Sequence, residues 1–133
     1  MAPDGSNKIQ LTSTEANDHS AAYSPDGSKI AFKRSHDAFG TDGDIYLMNA
    51  NGSNQTPITT GGQVNRDGIV WSPDGSKILF NVQSVVQQFI GSITIDQIYS
   101  IKVDGTNKEN LSNNQNYDLR RLAAAVYLCD ESN

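Results

Sequence analysis

Only one of the 133 residues is cysteine, Cys129, so the chain can form neither an internal disulfide nor a cysteine-based zinc site. Oxidising and reducing compartments both stay open, and Cys129 reads as a small apolar residue near a terminus rather than a reactive thiol. Histidine is nearly as scarce: His19 and His36 are each expected in a polar loop, which leaves little material for acid-base or metal catalysis. Positive charge is in deficit, with 10 Lys and Arg against 15 Asp and Glu and a net charge of -5. No basic run forms, so nucleic acid is not expected as a partner. No apolar stretch nears the roughly 20 residues of a spanning helix, so no membrane insertion is expected. Met1-Ala2-Pro3-Asp4-Gly5 also lacks the charged start and apolar core of a secretory signal. Gly-x-Ser-x-Gly, the Walker phosphate loop and His-Glu-x-x-His are all missing. These gaps point away from an enzyme and call for no cofactor.

What is there is a duplication. Ser24-Pro25-Asp26-Gly27-Ser28-Lys29-Ile30-Ala31-Phe32 returns as Ser72-Pro73-Asp74-Gly75-Ser76-Lys77-Ile78-Leu79-Phe80. A second shared phrase follows each copy. It is Asp44-Ile45-Tyr46-Leu47-Met48-Asn49-Ala50-Asn51-Gly52-Ser53-Asn54 in the first unit and Gln97-Ile98-Tyr99-Ser100-Ile101-Lys102-Val103-Asp104-Gly105-Thr106-Asn107 in the second. Two matched phrases in one order mark a repeat array, in which each unit buries an apolar face against the next.

Each unit reads as four antiparallel strands, over residues 20–23, 29–33, 44–49 and 55–59 and then 69–71, 77–82, 97–103 and 108–112. The turns have mechanisms. Pro25 and Pro73 preset φ, Asp26 and Asp74 can bond the backbone that follows them, and Gly27 and Gly75 accept a positive φ. Asn51-Gly52 is expected to close the third and fourth strands through a primed turn. Ile45 and Leu47 should face opposite to Tyr46 and Met48. Recurrence of Tyr46 and Tyr99 at one strand position points to packing between units. The ends are repeat material too: residues 4–12 match 51–59, and residues 3–12 read as the last strand of a preceding unit. Residues 119–130 read as a worn start of a further unit, with a short helix over 119–128 as the alternative.

The units differ in one place. The connection over residues 35–43 is polar, whereas residues 83–96 are longer and contain Val85, Val86, Phe89, Ile90, Ile93 and Ile95. The longer stretch either extends its flanking strands into a hairpin around Gly91-Ser92 or covers a neighbour. Phe39, Val85, Val86, Phe89 and Ile90 are therefore the candidate interaction residues. Asp37, Asp42 and Asp44 supply several oxygens in one loop, which is calcium chemistry, although their spacing fits no known calcium loop and a hairpin connection explains them equally.

The phrase aromatic-Ser-Pro-Asp-Gly-Ser-Lys-Ile-x-Phe, then Asp/Gln-Ile-Tyr and a glycine-containing hairpin, resembles the repeat of TolB-type β-propellers over residues 3–112, with Tyr23 and Trp71 in the aromatic place. The resemblance implies one four-stranded blade per repeat and an all-β propeller segment of two complete blades plus partial terminal strands. Such propellers occur in the TolB component of the Tol-Pal envelope system and in the non-catalytic half of prolyl oligopeptidase-like enzymes. A periplasmic or extracellular location follows from the resemblance alone. Rings close with about four to eight blades, so two blades are expected to be completed by self-association, with a cyclic trimer as the simplest arrangement, or to belong to a longer propeller. Three functional classes are compatible with these residues: a non-catalytic scaffold that binds a protein or peptide, a propeller piece of a peptide- or carbohydrate-cleaving enzyme, or a truncated or engineered repeat with no ligand.

Overall fold

The computed structural model describes residues 2–39, 42–62 and 68–112, except for the side chains of Val86 and Gln88. Within them lie eight strands in two four-stranded antiparallel sheets and no helix. The first blade is β1 (Asn17–Tyr23), β2 (Lys29–Ser35), β3 (Gly43–Asn49) and β4 (Thr56–Pro57), hydrogen-bonded in that order. The second is β5 (Val70–Trp71), β6 (Lys77–Gln88), β7 (Gly91–Lys102) and β8 (Glu109–Asn110). The fold is all-β, as the two repeated phrases require. The expected start of a further unit at residues 119–130 lies outside the described residues.

Alternation along the strands decides what is buried. Pairing of Ile30 with Met48 and Phe32 with Tyr46 puts these four side chains on one face of the first blade, its front. Ala31, Leu47 and Ile45 take the opposite face, its back. That back packs against Ile69, Ile78, Phe80, Val82 and Ile101 of the second blade, with Trp71, Tyr99 and Val103 around the margin. Trp71 also pins the two sheets, its Nε1 donating to the Ala22 carbonyl at 3.0 Å. A smaller cluster of Ile30, Phe32 and Met48 lies on the front of the first blade, packed against Tyr46 and Leu11.

Residues 3–12, expected as the outer strand of a preceding blade, form no strand. The Asp4 turn has the same bonds as its relatives at Asn51 and Asp104: in each, the amide and hydroxyl two residues on donate to the side-chain oxygen. Gly52 lies so close to the Leu11 carbonyl that a Cβ there would come within 2.8 Å of it, and Gly105 has the same relation to the Ile58 carbonyl at 3.2 Å. Leu11 thus stands to the first blade as Ile58 stands to the second.

Three sequence expectations need correction. Asn51-Gly52 is not a primed turn: only Gly52 of the pair has a positive φ, and the Gly52 amide bonds the Asn49 carbonyl while Asn49 bonds Ser53. This is the longer loop that ends on a left-handed glycine. His19 lies not in a loop but in β1, paired with Lys33 and bonded to Ser35, beside a bulge where Ser20 has φ 57°. The long hairpin turns at Phe89-Ile90, two residues before the expected Gly91-Ser92, because Gln88 pairs with Gly91.

Candidate functional site

Antiparallel order sends the β1–β2 and β3–β4 connections to one end of each blade and the β2–β3 connection to the other. At the first end, each Ser-Pro-Asp-Gly turn is braced by its aspartate. Asp26 Oδ1 accepts from the Ser24 hydroxyl at 2.7 Å, the Ser28 amide at 3.0 Å and the Ser28 hydroxyl at 2.8 Å. Asp74 repeats this with Ser72 and Ser76 at 2.7, 3.0 and 2.7 Å. Donation by the Ser24 hydroxyl, then by the Ser28 amide and hydroxyl, lowers Asp26 from 3.8 to about 2, and Asp74 is lowered to about 2 by the same three donors. The hydroxyl and amide of Thr106 lower Asp104 too.

These turns enclose something that separate readings of the repeats do not suggest. A groove of about 790 Å³ runs between the blades, lined by residues that include Pro25, Asp26, Trp71, Pro73, Asp74 and Asp104. Three ionised carboxylates on its rim disfavour anionic ligands. Each of them is already committed to its own turn, so the groove presents braced walls rather than groups poised for proton transfer. The two turns hold equal positions in their units, which places both at the same end.

The other end carries the candidate interaction and calcium residues. Asp44 is buried. Its Oδ1 accepts from the Thr59 hydroxyl at 2.9 Å, its Oδ2 pairs with His36 Nε2 at 2.9 Å, and the Gly62 amide reaches both oxygens at 3.2 and 3.3 Å. Thr59 in turn accepts from the Ile45 amide, so this cluster ties the loop ends of the blade together. Asp42 Oδ1 is buried with no hydrogen-bond partner among the described residues. Among the described residues no group of three or more His, Cys, Asp or Glu side chains could hold a metal ion. Asp44 lies in β3, where it ties Thr59, His36 and the Gly62 amide together.

Beyond that rim the second blade continues alone. Its ladder runs past Gln83–Asp96, the counterpart of the last first-blade pair Ser35–Gly43, for five further pairs from Ser84–Ile95 to Gln88–Gly91. At about 3.3 Å per residue the extension projects roughly 17 Å. Phe89 and Ile90 at its tip are 93% and 81% exposed. Val85 is exposed along one side, and Phe39 is exposed on the shorter loop of the first blade. Four of the five candidate interaction residues are thus in this hairpin, and Val86 enters it through its backbone pairing with Ile93.

Two blades with braced turns at one end and variable connections at the other have counterparts among solved structures. An Agrobacterium tumefaciens protein assigned to TolB matches with TM-score 0.57 and 24% identity, over 76% of this chain and 35% of its own. TolB from Acinetobacter baumannii matches with TM-score 0.61 and 23% identity, over 84% of this chain and 25% of its own. The fold is TolB-like. The chain spans about a third and a quarter of the length of these two structures, and at such identity the likeness concerns architecture. No family model matches the chain, and no curated protein does.

Proposed function

We propose that this chain is a segment of a non-catalytic propeller scaffold that binds a protein or peptide at the blade end carrying residues 36–42 and the long hairpin. The observation that carries this reading is the hairpin itself. Its ladder outlasts the first blade's by five pairs and delivers Phe89 and Ile90 into solvent. Residues 83–95 contain no charged side chain. Edge strands are normally protected by charge, proline or a cover. An uncharged, β-branched edge with an aromatic tip suits an apolar extended segment that adds to the sheet through backbone bonds. A scaffold role draws further support from the TolB-like architecture and from the commitment of Asp26, Asp74 and Asp44 to local braces. The resemblance to TolB-type repeats favours a periplasmic or extracellular setting.

The reading is tested by selecting displayed peptides on the intact chain and measuring their affinity by calorimetry. Substituting Phe89→Ser and Ile90→Ser together should weaken binding by about tenfold or more, as loss of central apolar anchors does, while the melting temperature is kept. Selected peptides that bind the doubly substituted chain equally well would move the site elsewhere and defeat this reading.

A further inference from the structure

The two blades have equivalent backs with unequal cover. Matching the repeats pairs Ala22 with Val70, Ala31 with Leu79, Ile45 with Ile98 and Ile58 with Leu111. The amides of Ile58 and Leu111 both donate at 2.8 Å, to the carbonyls of Ile45 and Ile98, which fixes the equivalence in space. In the first blade Ala31, Ile45 and Ile58 are buried under the second. In the second blade Val70 is 58%, Ile98 46% and Leu111 50% exposed, and Leu79 is only half-buried. The fronts differ in the complementary sense. Trp71 is half-buried and bonded to the Ala22 carbonyl, whereas its counterpart Tyr23 is 63% exposed.

We propose that the back of the second blade is a docking surface for a second copy of this chain, which seats the front of its first blade there, head to tail, with Tyr23 against Val70. The occupant follows from the interface the chain already contains. What covers Ala31 and Ile45 is a blade front built from Ile78, Phe80, Ile101 and Trp71. A second copy brings the matching places in its own first blade, Ile30, Phe32, Met48 and Tyr23, with Arg34, ion-paired to Asp18, where the second blade has Val82. In the docking copy, Leu11 holds the position to which Leu111 of the receiving copy would come, so residues 8–12 act as a strap that the receiving blade displaces. The contact is heterologous: each copy offers one back and one front, and copies add until a ring closes. This surface is separate from the hairpin tip, so the two proposals stand or fall independently.

Sedimentation velocity across a wide concentration range tests the docking. The expected result is a mass that rises with concentration, with Ile98→Lys and Tyr23→Lys each weakening association by more than about tenfold. Both substituted side chains are exposed, and circular dichroism checks that each variant remains folded. A mixture of the two variants should form a dimer and nothing larger, because only one intact back and one intact front remain to meet. A chain that stays monomeric at the highest concentration overturns the proposal. So does association that survives Ile98→Lys but is abolished by Phe89→Lys, which would place the contact at the hairpin.

Discussion

The first and second blades share turns, strand order and aromatic positions, and yet the same position is core in one and surface in the other. Ile45 is fully buried and its counterpart Ile98 is 46% exposed; Trp71 is pinned to a carbonyl and Tyr23 stands in solvent. Residue type does not decide between these outcomes, since Val70 and Ile98 are as apolar as the side chains they match. Neighbours decide. A blade is a sheet with two apolar faces, and whether a face becomes core depends on what is stacked against it. Among the described residues, the first blade has the second behind it and the Leu11 segment in front, and the second has a full blade in front and nothing behind it.

The largest test of that difference is in the two equivalent phenylalanines. Phe80 is enclosed between two sheets, among Ile45, Leu47, Ile78 and Ile101, and its ring stacks on Tyr99 at 6.1 Å. Phe32 packs on Tyr46 at 5.8 Å, beneath the Arg34 guanidinium and the Leu11 segment. Truncation to alanine in an enclosed site costs about 3–5 kcal/mol, and less where the surroundings can collapse into the space. Phe80→Ala should therefore lower unfolding free energy by about 3–5 kcal/mol in urea titration, and Phe32→Ala by roughly half as much. Equal losses would mean that the Leu11 segment packs as rigidly as a blade.

A smaller effect sharpens the contrast at the pin. Trp71→Phe removes the donor to the Ala22 carbonyl and should cost about 1 kcal/mol or somewhat more, since a partly buried acceptor loses its bond as well as some packing. Tyr23→Phe, at the equivalent position, should change stability by less than about 0.5 kcal/mol in dilute solution. Urea titration of both variants measures the difference.

Much of this architecture is legible in the residues. Pro25-Asp26-Gly27 and Pro73-Asp74-Gly75 announce their turns, because each residue type has a mechanism for its place. The opposite facing of Ile45 and Leu47 to Tyr46 and Met48 follows from alternation alone. The hairpin tip is different. Once Ile78 pairs with Ile101, counting pair by pair along the ladder ends at Gln88–Gly91, and the tip falls on Phe89-Ile90 although neither is a turn former. Register set by the core overrules local turn chemistry there. The start of β1 is equally hidden: Asn17, Asp18 and His19 show no apolar alternation, and they are held by partners on β2. Asp18 forms a two-pronged bond with Arg34 at 2.7 and 2.8 Å. The candidate site was legible as the place where the repeats differ, because an unequal insertion between equal phrases needs no structure to detect. The interblade groove was not, because it belongs to neither repeat.

The smallest expected effect tests where the blades are most alike. Asp26 and Asp74 sit in turns with the same donors and are lowered alike, from 3.8 to about 2, first by the preceding serine hydroxyl and then by the amide and hydroxyl of the following serine. A carboxylate with a depressed folded pKa stabilises the native state above its unfolded pKa and loses that contribution as pH falls through the folded value. Thermal melting of the parent chain should therefore exceed that of Asp26→Asn at neutral pH. The gap should hold down to about pH 4 and narrow towards pH 2. Asp74→Asn should trace the same curve, because its brace does not depend on which face of its blade is covered. Two curves that diverge would show that the covering of a blade reaches its turns, and the local bracing of each turn would then no longer account for the shared pKa.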